Sequence, residues 1–313
     1  PKWNGHLYNW YNIYTLEVLK PEVVSTVDSG NFVGCLYVAK QFAQKIEDTE
    51  LVKRIDKIIK NTDFSKLYED KLGLFSIGYN CSENKLIDSY YDLLASEARQ
   101  TSIIAIAKKD VPRKHWASLG RTLTTVKGYK GLISWGGTAF EYLMPNLIIP
   151  TFESSLLDES CRLLVFAQKE YARKLGVPWG ISESAFNLKD FYGNYQYKTF
   201  GIPWLGLKRG LENEVVISPY SVAISYKYDP NGIISNFNKL QDEGARGKYG
   251  FYESIDYIQN KKIVKTYMAH HQAMLFVAIN NLLNNEIMQD RFMENPEMKA
   301  TEILLQEKMP HLR

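Results

Sequence analysis

Glu183 lies in a stretch whose residue types suit general acid chemistry. The segment Val177–Ala185 has neither a helical period nor a clean alternation of apolar and polar residues, so it predicts a loop of fixed shape. Trp179 precedes the glutamate by four residues. A carboxyl group beside an aromatic wall loses solvation, which raises its pKa and keeps it protonated near neutral pH. The alternative is that Glu183 caps the next turn and that Trp179 belongs to the core.

Glu97 is a second candidate carboxylate, and its position suits a nucleophile or a base. Apolar periodicity predicts a helix over about 91–108, and Glu97 falls on the apolar stripe of that helix. A carboxylate in an apolar stripe costs free energy unless it is paired or functional, and the start of a helix favours its ionised form. The alternative is a structural carboxylate buried against Arg99 or Arg121. Residue types alone leave both interpretations open.

Other polar residues are candidates for substrate binding. Glu141, which follows Trp135 and two glycines, is predicted either to be catalytic or to bind a sugar hydroxyl. Asp28 and Asn31 lie at a predicted helix start and supply more polar groups than capping requires. Glu253 accompanies an aromatic run. These positions suggest a polar groove with aromatic walls.

The adjacent pair His270 and His271 is predicted to lie on a helix over about 263–284. Adjacent helical side chains point about 100° apart, so the pair cannot clamp one metal ion as residues at i and i+4 do. We therefore expect no metal site. We expect one of these histidines to face a groove and bind substrate, and the other to be a hydrogen-bonded core residue.

Composition and charge narrow the class of partner. The 313 residues carry a formal net charge of +3 with scattered basic residues, which argues against nucleic acid as the main partner. The 21 Tyr and 6 Trp suit a wet sugar-binding groove, although part of this excess belongs to an aromatic core. Three cysteines, far apart and odd in number, predict neither a disulfide framework nor a zinc site and favour a reducing compartment. No apolar run is long enough to suggest a membrane span.

Helical periods dominate the chain, and about ten helices are predicted with short connections. The main predicted elements are helices over about 25–47, 49–61 and 153–175, a hairpin of the runs 74–79 and 86–91, and an irregular region over 176–219. Strand–helix alternation and a Gly-rich phosphate loop are both missing from the pattern, which predicts an all-α array with long functional loops at one end. We expect one domain over residues 1–313, as a fragment of a longer multidomain chain.

Ten motifs follow one another along nearly the whole chain. They are GHLYNWYN (Gly5–Asn12), VSTVDSGN (Val24–Asn31), FSIGYN (Phe75–Asn80), SYYDLLASEAR (Ser89–Arg99), HWASLGR (His115–Arg121), FEYLMP (Phe140–Pro145), VPWGISESAFN (Val177–Asn187), YQYKTFGIPWLGLKRGL (Tyr195–Leu211), EGARGKYGFYESIDY (Glu243–Tyr257) and YMAHHQAM (Tyr267–Met274). In sequence and order they resemble the glucoamylase-like central domain of bacterial cyclic β-1,2-glucan synthases.

The resemblance implies an all-α (α/α)6 toroid with a few small β-hairpins and an active-site cleft at one end. Because the family has helices before the first motif, the first helices of the ring are expected to lie outside these residues. The implied activity is an anomer-retaining transglycosylation that closes linear β-1,2-glucan into rings without a cofactor. The family's SEAR glutamate falls on Glu97, the implied nucleophile, and its WGISES glutamate on Glu183, the implied acid/base.

Candidate substrate-binding residues are taken from these motifs and from the polar positions above. They are Trp10, Asp28, Asn31, Trp135, Glu141, Trp179, Tyr195, Tyr197, Glu253, His270 and His271. In such synthases the domain lies between a membrane-embedded glycosyltransferase and a phosphorylase-like domain, on the cytoplasmic side. We therefore expect a soluble segment of a membrane-anchored synthase, without direct membrane contact of its own.

Two other functions remain open at this point. One is an endo-β-1,2-glucanase, inverting or retaining, on the same scaffold. The two mechanisms differ in the separation of the carboxyl groups, roughly 5 Å for retention and 6.5–9.5 Å for inversion. The other is a non-catalytic glucan-binding domain, against which the presence of both carboxylates argues.

Overall fold

The structure, a computed structural model, describes residues 1–258 and 260–309. By its internal contacts the chain falls into two units. The first consists of Pro1–Gly120, Ile148–Pro150 and Met288–Gln306. The second consists of Arg121–Leu147, Thr151–Ile287 and the described residues after Gln306. The expectation of one domain over residues 1–313 stays a prediction.

The helices of the described residues differ widely in length. They are α1 (Thr26–Lys45), α2 (Thr49–Asn61), α3 (Arg99–Lys108), α4 (His115–Ser118), α5 (Ala139–Leu143), α6 (Leu156–Leu175), α7 (Pro219–Ala223), α8 (Pro230–Asp242), α9 (Ala269–Leu283), α10 (Ile287–Met293), α11 (Pro296–Lys299) and α12 (Glu302–Leu305). Within the described part of the chain, no helix combines the length and apolar character needed to cross a bilayer.

The strands are short and lie between the helices. They are β1 (Val23–Ser25), β2 (Tyr68–Glu69), β3 (Leu74–Ser76), β4 (Gly78–Asn80), β5 (Lys85–Leu86), β6 (Tyr90–Tyr91), β7 (Leu123–Val126), β8 (Tyr129–Leu132), β9 (Ser184–Lys189), β10 (Tyr195–Lys198), β11 (Val216–Ile217), β12 (Arg246–Gly247), β13 (Gly250–Phe251), β14 (Ser254–Asp256) and β15 (Lys262–Val264). They pair as small antiparallel sheets in the orders β1–β4–β5, β2–β3–β6, β7–β8, β9–β10, β11–β14–β15 and β12–β13.

In the first unit, α3 is a core helix packed closely against α1. Its residues from Arg99 to Ile106 are all buried. A Cβ atom on Gly30 of α1 would lie 1.9 Å from the Thr101 hydroxyl oxygen, so only glycine permits this approach. The Ser25 hydroxyl caps α1 by accepting a hydrogen bond from the Asp28 amide at 3.2 Å. A rigid α3 therefore supports the turn that precedes it.

In the second unit, two buried side-chain amides fix the loop that follows α6. Gln168 on α6 donates to the Ile181 carbonyl at 2.6 Å and accepts from the Ile181 amide at 2.8 Å. Asn236 on α8 makes the same pair of bonds with the backbone of Trp179, at 2.7 and 3.1 Å. Each amide satisfies buried backbone groups that a loop would otherwise leave unpaired. The prediction of a loop of fixed shape before Glu183 is confirmed.

Three predicted elements differ from the structure. The helix predicted from about residue 91 begins only at Arg99, because Tyr91 pairs with Phe75 in a sheet and the Ser96 hydroxyl accepts from the Ala98 amide in a local turn. The region predicted as irregular over 176–219 contains the hairpin β9–β10. The helix predicted from about residue 263 begins at Ala269, after the edge strand β15.

Candidate active site

Glu183 is held by a tyrosine on the opposite strand of the β9–β10 hairpin. It lies directly before β9 and is half-buried. In the register of the hairpin, Tyr197 faces Ala185, and residues two apart on a strand share one face of the sheet. The Tyr197 hydroxyl accordingly donates a hydrogen bond to the Glu183 Oε2 atom at 3.0 Å. The hairpin thus delivers a hydroxyl donor to the candidate acid/base.

A buried histidine–glutamate pair lies behind this tyrosine. His271 Nε2 is 3.4 Å from the Tyr197 hydroxyl oxygen, and His271 Nδ1 is 2.8 Å from Glu253 Oε1. His271 and Glu253 are each only 1% exposed. The Ala185 amide also donates to Glu253 Oε1, at 3.2 Å, which ties the glutamate to β9. These contacts form a continuous polar chain from Glu253 to Glu183.

Tyr220 fixes the histidine ring and the backbone of Glu183 together. Its ring stacks on the His271 ring with centroids 3.8 Å apart and planes at 15°. Its hydroxyl lies 2.8 Å from the Ser182 Oγ atom and 2.9 Å from the Glu183 carbonyl oxygen. Neither Tyr220 nor Ser182 was singled out from the sequence, although Ser182 lies within the WGISES motif. Tyr220 lies outside the ten motifs, so no motif identified it.

The Tyr197 hydroxyl is a neutral phenol in this setting. Although 41% of the residue is exposed, its hydroxyl end lies against Glu183 and His271. Burial of that end, followed by the negative charge of Glu183, raises the pKa of Tyr197 above its ordinary range. Tyr197 therefore keeps the proton that it donates to the carboxylate.

Of the adjacent pair, His270 is exposed and His271 is buried. That one of them binds substrate stays a prediction. His270 lies at the surface with its ring centroid 4.0 Å from that of His271. The protein packed around its ring, and then the adjacent His271, lower the pKa of His270 to about 4. His270 is therefore neutral near pH 7. Among the described residues, no group of three or more His, Cys, Asp or Glu side chains is arranged to hold a metal ion.

Glu141 is held by the loop before α5, and its role as a substrate-binding or catalytic residue stays a prediction. Its Oε1 accepts from the Gly136 amide at 2.8 Å. Its Oε2 accepts from the Ser134 hydroxyl at 2.8 Å and the Thr138 amide at 2.9 Å. It completes a capping box with Thr138 at the start of α5. Burial raises its pKa, although these donors oppose the shift. Both oxygens are committed to holding the loop before α5.

Replacing Glu141 by glutamine is expected to destabilise the protein by about 1–3 kcal/mol. The amide nitrogen of glutamine would take the place of a carboxylate oxygen that accepts a hydrogen bond, so two donors would face each other. The free energy of unfolding from urea titrations followed by tyrosine and tryptophan fluorescence measures this effect. The matched control is Glu212→Gln, since Glu212 is exposed in the same unit. Equal stability of the two variants would contradict the structural role of Glu141.

In the first unit, Glu97 occupies the turn before α3 and is half-buried. The Ser96 hydroxyl donates to its Oε2 at 3.2 Å, and its carbonyl accepts from the Gln100 amide at 3.2 Å. The Gln100 side chain in turn donates to Asn31 Oδ1 at 2.9 Å. Asn31 thus lies within the network that supports the Glu97 turn. Asp28 is exposed on the first turn of α1.

The two arginines considered as partners of Glu97 lie in different places. Arg99 is buried at the start of α3, where its guanidinium donates to the Ser96 carbonyl at 3.0 Å. Arg121 belongs to the second unit, where it forms a bidentate ion pair with Glu307 at 2.7 and 2.9 Å. The Arg99 contact is local, whereas the Arg121 pair joins residues 186 positions apart and could not be expected from the sequence.

The candidate aromatic residues are not equally accessible. Trp135 is 62% exposed and Trp10 is 46% exposed, so both offer ring surface to a ligand. Tyr195 is half-buried, with the Lys189 ammonium 4.6 Å from its ring centroid. Trp179 is only 7% exposed. Trp179 packs within the loop before Glu183, and its role as a substrate-binding residue stays a prediction.

Comparison of the sequence with known proteins places the chain in a family. The family model Glycoamylase, described as "Putative glucoamylase", matches residues 89–296. The cyclic β-(1,2)-glucan synthase NdvB of Rhizobium meliloti (strain 1021) is 42% identical over 267 residues. That alignment covers 83% of this chain and 9% of NdvB, so the chain spans less than a tenth of the length of this curated relative.

Comparison with solved structures assigns the fold. An endo-β-1,2-glucanase from Chitinophaga pinensis, in complex with sophorotriose and glucose, has a TM-score of 0.78 at 20% identity over 100% of this chain and 79% of its own. An endo-β-1,2-glucanase variant from Talaromyces funiculosus, in complex with β-1,2-glucan, has a TM-score of 0.77 at 15% identity over 96% of this chain and 67% of its own. The predicted all-α, (α/α)6 fold class with small β-hairpins is confirmed.

Proposed function

The chain belongs to the Glycoamylase family, and from this membership we propose that it is a glycoside hydrolase-type enzyme whose substrate is β-1,2-glucan. The substrate class is supported by the synthase that shares 42% of its residues and by the fold it shares with β-1,2-glucanases. The observation that carries the proposal is the Glu183 carboxylate, half-buried and held by the Tyr197 hydroxyl. A carboxyl group that is held in position and still accessible is what a general acid/base needs.

The reaction that we propose is a retaining transglycosylation in two displacements. The Glu97 carboxylate attacks the anomeric carbon of an internal glucosyl unit while Glu183 gives its proton to the departing glycosidic oxygen. The products of this step are a glycosyl ester on Glu97 and a released chain end. Glu183, now a carboxylate, removes the proton from the 2-hydroxyl of the bound chain's own non-reducing end. That oxygen attacks the anomeric carbon, Glu97 leaves as a carboxylate, and the ring closes.

Water is the competing acceptor in the second displacement. Exposed aromatic faces bind sugar rings and displace water from them. Trp135 and the exposed part of Tyr197 provide such faces in the second unit. Their stacking on acceptor sugars favours transfer over hydrolysis.

The second candidate function is hydrolysis by an endo-β-1,2-glucanase. The observation that favours it is the structural similarity to two endo-β-1,2-glucanases, which covers nearly the whole chain. The two functions share the substrate and differ only in the acceptor. The sequence identity of 42% to a cyclic glucan synthase, against 20% or less to these glucanases, supports transglycosylation.

We also propose a cellular context, which rests on the resemblance of the ten motifs to the synthase family. The domain is proposed to act within a membrane-anchored synthase, on the cytoplasmic side, where a separate part of a long chain supplies linear β-1,2-glucan. The segment described here would then act on the growing polymer without binding lipid or nucleic acid.

Product analysis on linear β-1,2-glucan tests the proposed function. We expect cyclic products, each lighter by one water than a linear chain of the same length, with little increase in reducing ends. Mass spectrometry and a reducing-end assay measure these two quantities. A substrate whose terminal 2-hydroxyl is methylated is the control, since it cannot close. Free reducing ends without rings would show hydrolysis, and binding without turnover would show a non-catalytic domain.

A further inference from the structure

We propose that Tyr197, His271 and Glu253 form a proton relay that sets the protonation of the Glu183 carboxyl. The proposal rests on the proposed role of Glu183 as acid/base and adds three positioning residues to it. The relay lies entirely within the second unit. Its links are contacts between side chains from the hairpin β9–β10, from α9 and from the residue before β14.

The links have hydrogen-bonding geometry at each end and a longer contact in the middle. The distances are 3.0 Å from the Tyr197 hydroxyl to Glu183, 3.4 Å from that hydroxyl to His271 Nε2, and 2.8 Å from His271 Nδ1 to Glu253. A tyrosine hydroxyl has one proton to donate, so it cannot donate to Glu183 and to His271 at once. The protonation state of Glu183 therefore determines which protonation state of His271 allows a hydrogen bond to Tyr197.

Two proton arrangements satisfy the chain. In the first, Glu183 is a carboxylate, Tyr197 donates to it, and a doubly protonated His271 donates from Nε2 to the Tyr197 oxygen and from Nδ1 to Glu253. In the second, Glu183 carries a proton and donates to the Tyr197 oxygen, Tyr197 donates to an unprotonated Nε2, and Nδ1 still donates to Glu253. The two arrangements contain the same number of protons. They differ by one proton passed between His271 and Glu183 through the tyrosine hydroxyl.

His271 lies between a buried carboxylate and the start of a helix. Glu253 is almost fully buried, and its Oε2 has no hydrogen-bond partner in the described part of the chain. Such a carboxylate favours a positive charge on the adjacent imidazole. His271 is also the third residue of α9, where the helix dipole disfavours positive charge. Tyr220, stacked on His271, and His270 also face the relay.

The relay gives Glu183 a proton source that is shielded from solvent. In the second arrangement Glu183 carries the proton, and it loses that proton to the leaving oxygen during the first displacement. The chain then holds one proton fewer, with a carboxylate at Glu183 and a neutral His271 that donates from Nδ1 to Glu253. The Tyr197 donor stabilises the carboxylate until it takes the proton of the attacking 2-hydroxyl, which restores the second arrangement. Lys208 is a titratable cation near Glu183. Burial lowers the pKa of Lys208, and nearby carboxylates including Glu183 oppose this shift in part.

A titration experiment tests the relay without requiring glucan turnover. The probe is the ¹⁵N NMR signal of the His271 ring nitrogens, assigned by its loss in His271→Gln. We expect Glu183→Gln to shift the titration midpoint of His271 and to have a clearly smaller effect in the Tyr197→Phe background. An equal shift in both backgrounds would mean direct charge interaction and would overturn the relay, as would no shift in either. The unaltered protein and Tyr192→Phe, an exposed tyrosine on the same hairpin, are the controls.

A kinetic experiment separates proton supply from simple structural support. We expect Tyr197→Phe and Glu253→Gln to lower kcat/KM on linear β-1,2-glucan by about 10- to 100-fold, since a hydrogen bond to a charged group is lost or weakened. The burst of dinitrophenolate from 2,4-dinitrophenyl β-sophoroside needs no acid, so it should fall less than about 3-fold. Equal losses on both substrates would make these residues structural. If the unaltered protein acts on neither substrate, the proposed function is wrong. The NMR titration would still test the relay, because it does not require turnover.

Discussion

Glu183→Gln and Glu97→Gln are each expected to lower kcat on linear β-1,2-glucan by at least about 1000-fold, which corresponds to about 4 kcal/mol of activation free energy. A glutamine at position 183 has no acidic proton for the leaving oxygen, and a glutamine at position 97 cannot form the glycosyl ester. Initial rates of ring formation, measured by mass spectrometry under saturating substrate, give the effect.

Both variants are expected to fold and to bind glucan as the unaltered protein does. The amide oxygen of glutamine can still accept the hydrogen bonds that Tyr197 and Ser96 donate to the carboxylates. Thermal unfolding and calorimetric titration with linear glucan are the checks, and Glu212→Gln is the exposed control. A variant that keeps more than about a tenth of the turnover would remove that residue from the catalytic machinery.

The loop before Glu183 shows what local sequence signals can and cannot supply. The segment lacks periodicity and contains Pro178 and Gly180, so its irregular path was predictable. The two amides that fix the path, Gln168 and Asn236, contact it from different helices. No pattern within the segment identifies them, because buried backbone groups take partners from wherever the fold places an amide.

Glu97 stays a candidate nucleophile, but the helix predicted around it was wrong. Residues 91–98 are part of an apolar run that continues into α3. Because a buried strand or turn can give the same apolar run as a helix, this pattern could not show where the helix begins. Pairing of Tyr91 with Phe75 and the local bond from the Ala98 amide to Ser96 delay the helix until Arg99. The glutamate therefore lies at the entry to α3 and not on its stripe.

Glu141 shows a signal that was present in the sequence and not used. Thr138 followed three residues later by a glutamate is the pattern of a capping box, and the structure contains both of its hydrogen bonds. The Ser134 hydroxyl and the Gly136 amide then occupy the remaining acceptor positions. The relay behind Tyr197 had no such signal. Its members are 74 and 18 residues apart, and only the fold brings them together.

Azide rescue is expected to separate the roles of the two catalytic carboxylates. In Glu183→Ala, 2,4-dinitrophenyl β-sophoroside still forms the glycosyl ester on Glu97, because this leaving group needs no proton. Azide needs no general base, so it should attack the ester and give the β-azide with net retention. In Glu97→Ala, azide should displace the leaving group directly from the opposite face and give the α-azide. NMR of the purified azides reads the anomeric configuration.

The anomeric configurations also test the assigned roles of Glu97 and Glu183 against the main alternative assignment. If Glu183 only bound sugar and Glu141 were the acid/base, azide would rescue Glu141→Ala and leave Glu183→Ala inactive. The structure argues against that outcome, since both Glu141 oxygens already accept hydrogen bonds from the loop before α5. An α-azide from Glu183→Ala would instead mean that Glu183 is the nucleophile. The Tyr197 hydroxyl would then stabilise an attacking carboxylate, and the relay would have no proton to supply. The anomeric configuration from this one variant therefore tests both the role of Glu183 and the relay that depends on that role.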